Sequence, residues 1–322
     1  MNVVIRIDEQ KRNLPLLIEP HCQSEGGLDD LISWYGNNRD FLERALLEYG
    51  AILFRGFAVK APSAYAKLVR SISRNLLDYI DGNSPRTRLG DGIYTSTEYP
   101  AEFAISMHNE LSYSNCYPNR LVFCCIVAPR EGGETPIADG RAILRSLPSE
   151  IVEAFTRKRV KYIRNLHNGH GYGLSWQDTF ETTDKEIVEK FCKEASINYK
   201  WKSDGGLELT QIGPGVMTHP KTGEQVWFNQ ADQFHPSNNP KPVWESMKKI
   251  HREGDDSFPQ NACFGDGASI DVSMLDKIRE VAREHSVCFP WREGDVLLID
   301  NLLVCHGRMP YSGPRKILVS MF

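Results

Sequence analysis

The chain has 322 residues, 41% of them hydrophobic and 25% charged, and a formal net charge of −4. These are ordinary globular values, and the length suits one large domain or two average ones. Lys and Arg are dispersed and the balance is slightly acidic, so no basic field exists to draw in nucleic acid.

No run of about 18 apolar residues predicts a membrane span. The N-terminus lacks the basic start and apolar core of a signal peptide. The eight cysteines contain no Cys-x-x-Cys pair. Reduced thiols in a cytoplasmic protein are therefore expected.

In chain order, residues 38–49 place Phe41, Ala45, Leu46 and Tyr49 at helical spacing, and Gly50 supplies the stop. The apolar run 51–54 predicts a buried strand. Pro62 and Ser63 open a second helix through Leu68, Val69 and Ile72. Residues 81–88 read as a polar loop, expected to move. Apolar runs at 103–107, 121–128 and 134–138 then alternate with Gly and Pro turns, which predicts a β-sandwich or barrel. Within 121–128, Cys124 and Cys125 are expected to face opposite ways. Helical patterns follow at 148–158, 184–195, 242–251 and 271–285. Strands resume at 295–301 and 316–321. Between them, residues 165–176 are rich in Gly, Asn and His and fit a mobile lid. His167 and His170 sit there at His-x-x-His spacing, but no nearby Cys or carboxylate completes a metal set.

Two segments almost two hundred residues apart carry the chemical signal: His108-Asn-Glu110, and 300–308, which contains His306. On a strand, side chains at i and i+2 share a face. His108 and Glu110 can then reach one metal ion, and a His from a neighbouring strand would complete a two-His, one-carboxylate set with open positions opposite, the pattern of non-heme Fe(II) oxygenases. Arg315, just before the last apolar run, can grip a carboxylate bidentately. An isolated His-x-Glu is weak evidence. A hydrogen-bonded strand-end His and a solvated strand-edge Arg are the plain alternatives for His306 and Arg315. The joint pattern, not either piece, points to a site.

Longer stretches extend the pattern: 50–57, 94–100, 107–113, 132–141, 226–229, 264–267 and 294–308. In that order they resemble the TauD/TfdA-type Fe(II)- and 2-oxoglutarate-dependent dioxygenases of the clavaminate synthase-like superfamily. The branch most similar is the one found beside peptide-synthetase assembly lines, with the syringomycin-type aspartyl hydroxylase, and its plant clavaminate synthase-like relatives. The resemblance implies an α+β protein with a double-stranded β-helix core (jelly roll, cupin-like) and flanking helices. It implies one domain over residues 1–322, with a large insertion at about 140–290 between core strands.

The same resemblance assigns roles. His108, Glu110 and His306 match the metal ligands, and Arg315 and Thr135 match the residues that hold the distal carboxylate of 2-oxoglutarate. Arg308 is a competing anchor, ranked below Arg315 because Arg315 has the matching position before the final strand. Halogenases of the superfamily carry Ala or Gly where this chain has Glu110, so Glu110 argues for hydroxylation over halogenation. Fe(II), 2-oxoglutarate and O2 are the implied cofactors.

The implied substrate is a small molecule, an amino acid either free or tethered to a carrier protein in specialised-metabolite (antibiotic) biosynthesis. Tyr113, Asn115 and Asn229 are candidate substrate contacts. Desaturation or cyclisation would use the same site. A non-catalytic cupin-like binding protein is the second class of function and a zinc hydrolase the third. The zinc reading leaves Arg315 and Thr135 without a role. No cation that would meet a free substrate carboxylate can be assigned from the sequence.

Overall fold

The computed structural model describes residues 1–8, 13–22, 26–171, 173–250 and 258–322. Its largest sheet has eight strands, in the order Val3–Arg6, Leu16–Pro20, Ala51–Phe54, Val296–Asp300, Arg120–Val127, Lys316–Met321, Ile93–Thr95 and Arg88–Gly90. All neighbours are antiparallel except the parallel pair Leu16–Pro20 and Ala51–Phe54.

The central strands are apolar without interruption because both faces of this sheet are covered. Successive side chains divide strictly between the two sides. Ile52, Phe54, Val122, Cys124, Val296 and Leu298 face helices Leu28–Asn37, Arg39–Tyr49 and Pro62–Ile72, through Leu31, Leu46, Tyr65 and Leu68. Ala51, Leu53, Phe123, Cys125, Leu297 and Ile299 belong to the other core, with Ile137, Val304 and Cys305. Cys124 and Cys125 thus face opposite ways, as their adjacency requires. All eight cysteines are free thiols.

Helix Arg39–Tyr49 ends where expected. Gly50 adopts φ +74° and its N–H returns to the Leu46 carbonyl. A Cβ there would collide with Val304, so the residue that stops the helix also lets the next strand lie close to the site-bearing sheet.

That second, three-stranded sheet has the order Ile105–His108, Val304–Arg308, Ile137–Asp139. It lies against the inner face of the large sheet, where Phe123 packs on His306 with ring centroids 5.1 Å apart. The strand expected at 134–138 begins only at Ile137, so Thr135 lies before it, outside any strand.

The four helices expected between 140 and 290 form at Ser149–Lys158, Lys185–Glu194, Lys241–Ile250 and Val272–Glu284. The proposed end of the third, His251, lies outside the described residues. This region also holds a four-stranded sheet, ordered Asn198–Trp201, Leu207–Gly213, Val160–Leu166, Gln260–Phe264, which the helical reading missed. Lys161, Arg164, Asn165 and Glu208 interrupt its apolar pattern, and its pairing is long-range, with Val160 opposite both Gly213 and Phe264. No helix among the described residues is long and apolar enough to cross a membrane.

Candidate active site

The small sheet brings the two distant motifs together. His306 lies directly opposite His108 in the antiparallel pair, and their ring centroids are 4.4 Å apart. Opposed residues in a ladder project to one face. Glu110 arrives differently from the sequence expectation. The strand ends at His108, and Glu110 sits in the following turn, just before Leu111 at φ +54°.

Asn301 supplies the register that the strand does not. Its side-chain amide accepts the Glu110 N–H at 2.8 Å and donates to the Glu110 carbonyl at 2.9 Å and the Pro118 carbonyl at 2.8 Å. Asn109 donates back to the Asn301 carbonyl at 2.7 Å. Ligand atoms of His108, Glu110 and His306 consequently all lie within 4.8 Å of one another, and all three residues are buried.

The charge states suit a metal. His108 donates from Nδ1 to the Ser106 carbonyl at 2.8 Å, which leaves Nε2 as the lone-pair nitrogen. Burial pushes the His108 pKa below the usual histidine value, although Glu110 pulls the other way. Burial pushes His306 further down, helped by His108 and Arg86. Both rings are therefore neutral. His306 Nδ1 is buried without a partner. Two neutral imidazoles and one carboxylate, with no thiolate, form a donor set that fits Fe(II).

Glu110 has a further neighbour that the sequence reading missed. Arg86 Nη2 donates to its carboxylate at 2.7 Å, with the two side chains 3% and 4% exposed. The guanidinium lies over the Tyr79 ring at 4.0 Å. Arg86 belongs to the stretch read as a polar loop, where a lone charge looks solvated. That stretch is tied to the core: Asp81 is buried and ion-paired with Arg164.

Beside the triad is a narrow gap of about 30 Å³, walled by Ser96, Thr135, Arg315, His108, His306 and Arg86. Arg315 Nε donates to the Gly133 carbonyl at 3.0 Å and Nη1 to Ser96 Oγ at 3.1 Å. Gly133 turns at φ +70° to present that carbonyl. Thr135 Oγ1 accepts from Trp291 Nε1 at 3.2 Å. Burial and the nearby Arg308 lower the Arg315 pKa to about 10, so it stays a cation.

Arg308 is engaged elsewhere. It donates to the carbonyls of Tyr99, Pro100 and Phe103 at 2.8, 2.6 and 2.7 Å, pinning the turn before His108.

A larger cavity of about 480 Å³ is lined by His108 and Glu110, with Tyr113, Gln230, Gln233 and Gln260 in its wall. Of the three substrate candidates, only Tyr113 lines it; its hydroxyl also donates to the Asp81 carbonyl at 2.6 Å. Asn115 donates instead to the Ala195 carbonyl at 3.0 Å. Asn229 is buried, donating to the Gly215 carbonyl at 2.9 Å and accepting from the Ala231 N–H at 3.1 Å. Both amides support backbone rather than the cavity. His167 bonds within its own loop, accepting from the Gly169 N–H at 3.0 Å. Tyr172 of that loop lies outside the described residues.

Fold and site together bring two buried histidines and one carboxylate within reach of a single metal ion, next to a buried arginine. The chain belongs to the TauD/TfdA family: the family model described as taurine catabolism dioxygenase TauD, TfdA family matches residues 13–321. It is thus an Fe(II)- and 2-oxoglutarate-dependent oxygenase that uses O2.

The chain is 35% identical over 298 residues to the dapdiamide synthesis protein DdaC of Enterobacter agglomerans, covering 92% of this chain and 88% of that one. It is 30% identical over 292 residues to a clavaminate synthase-like protein of Arabidopsis thaliana, covering 88% and 84%. Among solved structures, PvcB of Pseudomonas aeruginosa matches with a TM-score of 0.55 at 16% identity, over 99% of this chain and 90% of that one. AAD-2, solved with Mn(II) and N-oxalylglycine, matches with a TM-score of 0.55 at 16% identity, over 100% and 97%. The structural likenesses show the common fold.

Proposed function

We propose that His108, Glu110 and His306 hold Fe(II), that Arg315 and Thr135 hold the distal carboxylate of 2-oxoglutarate, and that the enzyme hydroxylates a C–H bond of a small molecule. The observation that carries this reading is the buried triad, with Arg315 and Thr135 in an adjoining gap and a substrate-sized cavity also lined by His108 and Glu110. The two sheets, joined at Phe123 and His306, are then the two halves of a jelly roll. The chain is one unit over residues 1–322, with residues 140–290 as an insertion. The substrate is an amino acid or an aminoacyl group. Support for that class is the similarity to DdaC, whose name places it in dapdiamide synthesis.

When bound, Fe(II) would use O2 as the oxidant, with the 2-oxo acid as the co-reductant, to break the C–H bond. The chain supplies position and environment. The neutral rings of His108 and His306 offer lone pairs, and Glu110 contributes the one anionic ligand. Arg315 places a cation at the far end of the gap, with Thr135 as a hydroxyl partner. Burial of the triad excludes water. Glu110 would occupy the metal position that a halide needs, which favours hydroxylation over halogenation.

The test is a succinate-release screen over free amino acids and carrier-bound aminoacyl thioesters, followed by product mass in chloride buffer. A gain of one oxygen with no chlorine is expected. A loss of two hydrogens would move the reaction to desaturation or cyclisation. Tight 2-oxoglutarate binding with no succinate from any substrate would favour a binding protein.

A further inference from the structure

The larger cavity shows a mismatch between its wall and its inferred substrate. The wall is rich in amides and hydroxyls, among them Asn83, Thr97, Gln230, Gln233, Asn239 and Gln260, and none of the described residues lining it is a Lys or Arg. An amino acid brings a carboxylate, and a buried anion needs a cation or several strong donors.

Arg86 is not itself in that wall, but it rests on two groups that are. Its side chain is 3% exposed, and it lines the narrow gap. The two groups it rests on, Tyr79 and Glu110, both line the larger cavity. Only Nη2 is bonded to Glu110. Nε and Nη1 are buried with no partner. A guanidinium has five N–H donors in a planar fork, so three of them, on Nε and Nη1, point at nothing. Leaving charged donors unmet in a buried site is costly unless something arrives to accept them.

Three arginines, Arg86, Arg308 and Arg315, line the narrow gap. Arg308 is bonded to the carbonyls of Tyr99, Pro100 and Phe103. The distal end of the 2-oxo acid already has Arg315, with Ser96 and Thr135 beside it. Arg86 is paired with Glu110 through Nη2 alone, and its Nε and Nη1 remain for a further acceptor.

We propose that Arg86 binds a carboxylate carried by the substrate, and so determines specificity for a carboxylic acid. This rests on the function proposed above and narrows its substrate class. The α-carboxylate of a free amino acid and the side-chain carboxylate of an acidic residue offer the same chemistry to the guanidinium. A neutral aminoacyl thioester on a carrier offers neither.

The test uses the full-length protein loaded with Mn(II) and N-oxalylglycine, so that binding is read without turnover. Free L-amino acids are titrated beside their α-carboxamides, including both mono-amides of aspartate, and dissociation constants are measured by calorimetry. Arg86 predicts that replacing the recognised carboxylate by an amide weakens binding at least about tenfold. Loss at the α position identifies a free amino acid, and loss only at the side chain identifies an acidic residue. In Arg86→Gln the acid and the amide should bind alike, and Arg86→Lys should restore part of the difference. Because the acid–amide comparison is made on the wild-type chain, it stands even where a variant folds poorly.

Equal binding of acid and amide by the wild type, or no binding of any amino acid, overturns the role of Arg86. So does an Arg86→Gln variant that loses N-oxalylglycine affinity while keeping the acid–amide difference. Failure of the wild type to bind Mn(II) with N-oxalylglycine would instead overturn the site assignment itself, and is separately visible.

Discussion

Asn301 grips both the N–H and the carbonyl of Glu110, at 2.8 and 2.9 Å, across 191 positions of sequence. The same residue precedes the strand that carries His306. One side chain thus sets the distance between the two halves of the metal site. Asn301→Ala would leave the Glu110 N–H and two carbonyls without partners. The expected cost is roughly 1–3 kcal/mol of stability. Mn(II) affinity should fall about 10–100-fold, as for other residues that orient metal ligands. Thermal melting and metal titration measure the two effects separately, and unchanged metal affinity would mean that Glu110 is positioned by its turn alone.

Arg315 and Arg308 should separate cleanly. Arg315→Ala removes the gap cation assigned to the distal carboxylate, at a cost of about 2–5 kcal/mol, so the 2-oxoglutarate requirement should rise at least roughly tenfold. Thr135→Val should do less, about 1–3 kcal/mol for one lost hydroxyl. Arg308→Ala frees three carbonyls of the 99–103 turn and should lower the melting temperature more than it changes 2-oxoglutarate affinity. Apparent KM for 2-oxoglutarate in the three variants decides the matter.

Asp232 carries a pH dependence of its own. Burial raises its carboxyl to about 6, against the pull of Arg279. Its folded pKa is above the unfolded one, so its contribution to stability is fully present below about pH 4 and is lost as pH rises through 6. A shift of this size corresponds to about 3 kcal/mol. Asp232→Asn should therefore gain on the wild type in melting temperature between pH 4 and 7. A constant difference across that range would show that Asp232 titrates normally.

The loop at 165–176 is the proposed lid. Leu174 and Gln177, at and just beyond its end, share a third cavity with Arg86 and Tyr79, which places the loop near the proposed carboxylate site. Hydrogen exchange across the loop should slow when a bound amino acid joins the Mn(II)–N-oxalylglycine complex. Equal exchange in both states would mean that another segment gates the site.

The sequence was most legible where local pattern and burial agree. Helix Arg39–Tyr49 with Gly50, and strands Arg120–Val127 and Lys316–Met321, follow directly from period and stop signals. The triad was legible as residue types, but the strand argument for Glu110 was incomplete: Glu110 lies in a turn, and its placement depends on Asn301, a long-range contact with no local signature. The sheet built on Val160–Leu166 was hidden for a similar reason, since Arg164 is a charge buried by its pairing with Asp81. Arg86 was invisible because a loop arginine carries no sign of burial. Asn115 and Asn229 looked like pocket residues by proximity to motifs, whereas their amides complete backbone hydrogen bonds.

The most direct measurement is an anaerobic titration of the wild type and His306→Ala with Fe(II) and 2-oxoglutarate, followed by visible absorption. The wild type should develop a weak charge-transfer band that needs both additions and saturates at one equivalent of iron. His306→Ala should stay folded, show no band and bind Fe(II) weaker by at least about a hundredfold, beyond the loss typical of residues that merely orient ligands. A band of equal strength and equal iron affinity in His306→Ala would contradict the assignment of His108, Glu110 and His306 as the metal centre.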